Sequence, residues 1–240
     1  MLNGKNLTKW VAPVLMFVFC DFIYKQYLVK YLLDRDYLVV NFFENSFLNK
    51  TFSFGLLNFA VAVIILLISK FIFKEKLTSI DSSDKMSLRK STIIVVLAVV
   101  LTIIIFYLLT YIIYDVLGSS VNSAAAIYIR DMYMRNKFIY VIFTFFTVTF
   151  EEVVYRKLLF GYLYDLHSGC NRFVRLITSL LGSVIIFGAI HDGVLSSGMI
   201  YYVIAGISFT IVYFYTKRIS AAIAIHFLYN ICVRLIRTII

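Results

Sequence analysis

The chain has 240 residues, of which 62% are hydrophobic, and it carries a formal net charge of +10. A soluble globular domain is usually about half apolar, so this composition excludes a soluble domain of this size and predicts an integral membrane protein. The basic residues lie between apolar segments, as in loops at a membrane surface, and this distribution argues against a nucleic-acid partner.

Seven apolar segments are long enough to cross a bilayer, which takes about 20 helical residues. In chain order they are approximately 10–32, 52–73, 91–114, 138–163, 173–191, 194–215 and 219–240. Their runs lack the alternating polarity of a membrane β-strand. We therefore predict an all-α, polytopic helix bundle of about seven to eight transmembrane helices, forming one membrane domain over residues 1–240.

The number of spans and their orientation depend on the segments between them. The stretch 116–135 is weakly amphipathic and could be an interfacial helix or part of an eighth membrane element. With seven spans and the N-terminus inside, most Lys and Arg residues fall on the inner side, including those of the polar loop 74–90. The positive-inside rule then predicts a multi-pass protein of the cell membrane with a cytoplasmic N-terminus.

Ionisable residues inside apolar segments are informative, because a charge at the centre of a bilayer costs at least ~2.5 kcal/mol. Glu151 and Glu152 follow a long apolar run. Glu152 and Arg156 are four residues apart and can pair on one helix face, whereas Glu151 is turned about 100° away and can remain available. An ordinary ion pair at a helix end would give the same pattern.

Two further polar groups follow Glu151 in the chain. His191 ends an almost entirely apolar segment, and a histidine at a membrane interface would look the same. His226 and Asn230 project from one helix face because they are four residues apart, and a polar pair that joins two helices by hydrogen bonds would give the same pattern. The three groups together are more informative than any one of them.

Hydrolysis of a peptide bond would use such a set. A buried carboxylate or a histidine can accept the proton of an attacking water, and an amide or imidazole N–H can stabilise the oxyanion. Alternatively, Glu151, His191 and His226 could hold a zinc ion that generates the nucleophile. The HExxH zinc signature is absent, so no cofactor is certain and Zn²⁺ remains the candidate.

The combined motifs resemble those of a known family. They are Glu151-Glu152-x-x-x-Arg156, Phe187-x-x-x-His191 and His226-x-x-x-Asn230. In this order they are similar to the motifs of the CAAX prenyl protease and bacteriocin-processing family, also called CPBP or Abi, of intramembrane peptidases. The resemblance covers about residues 138–232, and the first three spans match only in being hydrophobic.

The resemblance implies a role for each matched residue in an intramembrane endopeptidase of the glutamate or metallo type. Glu151 would be the general base that activates water, assisted by His191. His226 and Asn230 would form the oxyanion hole. Glu152 and Arg156 would support the site.

The resemblance also implies a membrane-associated substrate, surrounded by membrane lipid. A bacteriocin, a secreted signalling peptide and a prenylated protein tail all fit. In a bacterium, peptide processing or bacteriocin immunity is favoured over cleavage of prenylated tails, because bacteria do not generally farnesylate proteins. Two alternatives remain: a non-catalytic membrane scaffold or immunity protein that retains the fold, and a transporter, which the absence of an internal repeat disfavours.

The depth of the motif residues gives a further expectation. Counting 1.5 Å per residue places Glu151 and His226 in the inner half of the bilayer, toward which we expect the site to open. A helix starting at Phe173 would bring His191 close to the outer face. We therefore expect that helix to start later, to be tilted, or to break near Gly188 and Gly193.

Overall fold

The computed structural model describes residues 4–74, 77–118, 124–196 and 198–239. Every regular element in these residues is a helix. Seven of the helices are long and apolar enough to cross a membrane. The prediction of an all-α, polytopic helix bundle is confirmed, and the chain is a multi-pass membrane protein.

The helices follow one another with short connections. They are α1 (Gly4–Val18, the π-helical Phe19–Val29, and Lys30–Asp34), α2 (Ser46–Phe71), α3 (Leu88–Tyr111 and the π-helical Ile112–Val116), α4 (Ala124–Arg135), α5 (Lys137–Glu152, the π-helical Val153–Phe160, and Gly161–Leu166), α6 (Arg172–Asp192), α7 (Met199–Thr216) and α8 (Ile219–Ile239).

Asparagine side chains set the beginnings of three spans. Asn45, Asn136 and Asn171 precede α2, α5 and α6, and each side chain accepts a hydrogen bond from a backbone amide of the first turn. Such caps satisfy amides that have no partner within the helix. Because Asn45 caps α2, this span begins at Ser46, several residues before the apolar run that suggested position 52.

The amphipathic stretch 116–135 contains the short helix α4. Its 12 residues extend about 18 Å, which is too short to cross a hydrocarbon core of about 30 Å. α4 packs against α5, and the hydroxyls of Tyr128 and Thr51 are 2.6 Å apart. In the described residues α4 is therefore an accessory helix beside seven spans, and it does not form an eighth.

The fifth helix occupies the centre of the bundle. α5 packs against α1, α2, α6 and α8. In its most apolar stretch 61% of the residues are buried, compared with 22–44% in the other six spans. Protein surrounds much of α5 instead of lipid, so polar side chains on this helix can find protein partners.

The polar loop 74–90 is packed onto one end of the bundle. Leu77 and Ile80 are buried. Asp81 forms an ion pair with Lys157 of α5, and the Nε of Arg218 donates to the carbonyl of Met86 at 2.6 Å. The loop therefore lies at the same end of the bundle as the end of α5 and the α7–α8 turn.

Candidate active site

The motif residues come from three helices that meet at α5. Glu151 and Glu152 close the α-helical part of α5, and a π-helical segment follows directly. His191 is the penultimate residue of α6. His226 and Asn230 lie one turn apart on α8. π-helical segments often occur at functional sites, where they change the direction in which side chains project.

Glu151 faces both histidines. Its Oε1 is 3.3 Å from Nε2 of His191, and its Oε2 is 3.9 Å from Nε2 of His226. One carboxylate thus lies between two imidazoles that come from different helices. The structure brings together these three residues, which are 40 and 35 positions apart in the chain.

Glu152 lies behind the site and is fully buried. Its Oε1 is 2.7 Å from Nδ1 of His226, and its Oε2 is 3.1 Å from Nε of Arg156, whose side chain is 1% exposed. The pair that the i,i+4 spacing suggested is present. Its carboxylate also orients His226, a contact that the spacing did not indicate.

Two phenylalanines hold the charged and imidazole groups in place. Phe187 packs against the His191 ring at 4.2 Å, and Phe209 stacks on the His226 ring at 4.3 Å. The Arg156 guanidinium lies over both phenylalanine rings, 4.4 Å from Phe187 and 5.4 Å from Phe209. Aromatic faces attract such a cation, so the rings help to stabilise a buried guanidinium.

The hydrogen-bond partners define which histidine nitrogens are available. Nδ1 of His191 lies 2.8 Å from the carbonyl of Phe187, which can only accept, so Nδ1 carries a proton. Nε2 of His191 is therefore the ring nitrogen that faces Glu151. In His226, Nδ1 faces Glu152 and Nε2 remains directed at the site.

A cavity of about 700 Å³ opens from this group. Glu151, His191, His226 and Asn230 all line it, together with many aromatic side chains. The backbone carbonyl of Asn230 accepts a hydrogen bond from the Tyr140 hydroxyl at 3.0 Å. The cavity is large enough for several residues of a peptide, and the motif residues contribute its only carboxylate and its imidazoles among the described lining residues.

The cavity reaches the end of the bundle opposite loop 74–90. Its lining includes Tyr114 at the end of α3, Tyr128 and Ile129 of α4, and Arg237 near the end of α8. If the N-terminus is cytoplasmic, this end is the outer one. The expected opening toward the inner half stays a prediction, because it depends on the orientation of the chain. The count along the helices places the motif residues but not the space beside them.

The structure explains how His191 meets Glu151. α6 begins at Arg172, so it does not have the later start that was one of the expected explanations. It also continues without a break past Gly188. It ends at Gly193, whose φ of 86° suits glycine. His191 and Gly198 both line the cavity, so α6 ends beside the cavity and α7 begins there.

The residues do not form a metal site in this arrangement. Zinc would need Glu151, His191 and His226 each about 2.0–2.2 Å from one point. Among the residues that the structure describes, no group of three or more His, Cys, Asp or Glu side chains is arranged to hold a metal. The donor types suit zinc, and the chemistry below is derived from what the protein groups themselves can do.

A buried residue of α1 contributes to the site, although no motif indicated it. The Tyr155 hydroxyl donates to Oδ1 of Asp21 at 2.6 Å. The Tyr155 ring packs edge-on against Phe187 at 5.0 Å and lies 6.2 Å from the His191 ring. A lone aspartate within an apolar segment is the signal that could have suggested Asp21.

Comparisons with known proteins add a family assignment to this geometry. Residues 133–232 match the family model of Rce1-like proteins, described as type II CAAX prenyl endopeptidases. No curated protein and no solved structure matches the chain. The matched segment contains all six motif residues from Glu151 to Asn230. The resemblance to the CAAX prenyl protease family is therefore confirmed, and over residues 133–232 the chain is similar to the Rce1-like type II CAAX prenyl endopeptidases.

Proposed function

We propose that this protein is an intramembrane endopeptidase of the glutamate type, with its peptidase core in residues 138–232. Its substrate is a membrane-associated peptide or protein tail. The observation that supports this best is the position of Glu151 between the Nε2 atoms of His191 and His226, at the wall of a cavity that can hold a peptide.

The proposed reaction begins with a water held by Glu151 and His191. Glu151 accepts one proton of this water, and the water oxygen attacks the carbonyl carbon of the scissile bond. The carbonyl oxygen becomes an oxyanion, which accepts hydrogen bonds from Nε2–H of His226 and the amide of Asn230. When the C–N bond breaks, the proton passes from Glu151 or His191 to the leaving nitrogen.

The buried groups give the site its electrostatic order. In the proposed reaction both nitrogens of His226 carry a proton, one donated to Glu152 and one to the oxyanion. Arg156 balances the charge of the buried Glu152 carboxylate, so the second proton of His226 remains available to the oxyanion. Glu152 and Arg156 therefore act through His226 and do not contact the substrate.

The glutamate type is supported by the absence, among the described residues, of a group of three side chains arranged around one ion. We expect cleavage to persist after treatment with a chelator and extensive dialysis. Loss of cleavage on chelation, followed by recovery with Zn²⁺, would instead indicate that Glu151, His191 and His226 move together around a metal.

The decisive experiment compares Glu151→Gln with wild type. Both proteins are purified in detergent and incubated with a quenched-fluorescent library that includes leader peptides and prenylated tails. We expect wild type to cleave part of the library and Glu151→Gln to lose at least about 100-fold in rate, since a general base contributes about 10²–10⁴-fold. Glu44→Gln makes the same chemical change at an exposed glutamate and should leave the rate unchanged.

The outcomes separate the alternatives. Equal cleavage by wild type and Glu151→Gln would contradict the assignment of the base. No cleavage by either protein, with both folded, would favour the non-catalytic scaffold or immunity protein. The substrates cleaved would show whether the protein processes bacteriocins, signalling peptides or prenylated tails.

A further inference from the structure

The cavity has a basic region beyond the motif residues. Arg234 and Arg237, both on α8, line the same cavity as Glu151. Arg234 is 9% exposed, and its Nε has no hydrogen-bond partner in the described structure. Arg237 lies at the exposed rim, with its guanidinium 5.0 Å from the centre of the Phe106 ring.

The charges around Arg234 do not neutralise it. Among the described residues, no ion pair joins Arg234 or Arg237 to an acidic side chain. The charged groups that act on Arg234 are Arg237 and Arg130 of α4, which are both cations, and its polar neighbour is the Tyr140 hydroxyl. A buried guanidinium is ordinarily paired. Among the described residues, Arg234 has the Tyr140 hydroxyl as a hydrogen-bond partner but no anion.

The position of Arg234 along α8 sets a distance from the site. Arg234 is eight residues after His226 and four after Asn230. At 1.5 Å per residue it is about 12 Å from His226 along the helix. An extended peptide covers that distance with about three or four residues, at ~3.3–3.6 Å each.

We propose that Arg234, assisted by Arg237, binds a carboxylate of the peptide substrate about three or four residues from the scissile bond. This inference rests on the proposed function. A guanidinium matches a carboxylate because its N–H groups form a planar fork that can donate to both oxygens. The carboxylate would be the C-terminal one or an Asp or Glu side chain, and it would fix which bond reaches the oxyanion hole.

A peptide fits this position better than a lipid headgroup. Arg234 is enclosed, and it shares a continuous cavity with Glu151 and His226. A headgroup at the membrane surface would meet the exposed Arg237 and Arg130 first. The enclosed guanidinium is accessible to a chain that already occupies the cavity.

The test compares peptides that differ only in this charge. The fastest-cleaved library peptide is made with a free C-terminal carboxylate, as the C-terminal amide, and as an amide with Asp or Glu at each of the last five positions. The proteins are wild type, Arg234→Gln, Arg234→Lys and Arg237→Gln in phosphatidylcholine nanodiscs. Arg89→Gln, at an exposed arginine in the first turn of α3, is the matched control.

We expect wild type to show a KM at least about tenfold lower for a carboxylate peptide than for the plain amide. One charge-assisted hydrogen bond strengthens binding by about this factor. Arg234→Gln should abolish this difference while kcat stays close to wild type for the amide. Arg234→Lys and Arg237→Gln should reduce the difference partly, and Arg89→Gln should not change it. The amides with Asp or Glu distinguish a side-chain carboxylate from the C-terminal one.

A binding measurement tests the anion site without depending on catalysis. Labelled acid and amide forms of the library are bound to Glu151→Gln, with and without Arg234→Gln. An Arg234-dependent preference for the acid would support the anion site. If wild type showed the same preference but cleaved no peptide of the library, the proposed function alone would be contradicted. Equal binding of acid and amide would overturn the anion site. So would competition by phosphatidylglycerol that depends on Arg234, because the occupant would then be a headgroup.

Discussion

Two adjacent glutamates have different environments at the residue scale. Glu151 faces the cavity and two imidazoles, whereas Glu152 is fully buried between His226 and Arg156. The turn of about 100° between neighbouring helix positions produces this separation. In the proposed reaction the carboxylate that faces the cavity accepts and donates protons, and the buried one holds a histidine in position.

The buried pair is open to a direct test of stability. We expect Arg156→Met to lower the free energy of unfolding by about 3–5 kcal/mol, because it leaves the Glu152 carboxylate buried without its cation. The double variant Glu152→Gln/Arg156→Met should recover part of that loss, because neither charge then remains. Unfolding in mixed micelles measures both values.

A surface pair in the same chain is the matched control. Lys50 and Asp36 are 3.0 Å apart with side chains 38% and 64% exposed. Lys50→Met should cost at most about 1 kcal/mol, since solvent screens an exposed pair. Similar losses for Arg156→Met and Lys50→Met would contradict the stabilising role of the buried pair.

At the scale of elements, the connection between α7 and α8 contains a strained and crowded lysine. Lys217 ends α7 with a φ of 56°, a left-handed conformation that Asn adopts more readily. Burial, followed by the charges of Arg172 and Arg175, lowers the pKa of Lys217 to about 8. Its ammonium also lies 3.7 Å from the Phe214 ring, which favours the charged form.

This lysine predicts a pH-dependent stability. Its pKa is lower in the folded chain than in the unfolded one, so the unfolded chain binds more protons between about pH 8 and the ordinary lysine pKa. The wild type should therefore gain stability as the pH rises through that range. We expect Lys217→Asn to be the more stable protein at pH 7, with a difference that shrinks toward pH 9.5.

Thermal unfolding in detergent at several pH values measures this effect. Lys90→Gln, at an exposed lysine, is the control and should run parallel to wild type at every pH. A constant difference between Lys217→Asn and wild type would mean that relief of backbone strain alone explains the gain.

At the scale of the whole molecule, the orientation decides which compartment the cavity faces. The turn between α5 and α6 contains the exposed Cys170. It lies at the same end as loop 74–90, because Asp165 accepts a hydrogen bond from the Ser79 amide at 2.9 Å. Cys170 is therefore a native reporter for this end of the bundle.

We expect a membrane-impermeant maleimide to label Cys170 in inverted vesicles but not in intact cells. This result follows if the N-terminus is cytoplasmic, since an even number of spans then separates it from the α5–α6 turn. Cys170→Ser should remove the signal. Labelling in intact cells that Cys170→Ser abolishes would reverse the orientation and place the cavity opening on the cytoplasmic side.

The amino-acid sequence by itself determined the class of the protein and the order of its spans. A run of about 20 apolar residues has few stable states other than a membrane helix, so the seven spans could be predicted from the sequence. The motif residues could also be identified from the sequence, because ionisable groups within membrane spans cost free energy and are therefore few. The start of α2 was predicted several residues too late, because the Asn45 cap extends this helix beyond its apolar run.

Only the tertiary structure decided how those residues meet. The contact of Glu152 with His226 and the hydrogen bond between Tyr155 and Asp21 join positions far apart in the chain. The lack of a hydrogen-bond partner at Nε of Arg234 depends on which groups other helices bring close to it. Helix periodicity shows which side chains share a face, but it does not show which face of another helix they meet. Packing against the central helix α5 settles that, and with it the position and opening of the cavity.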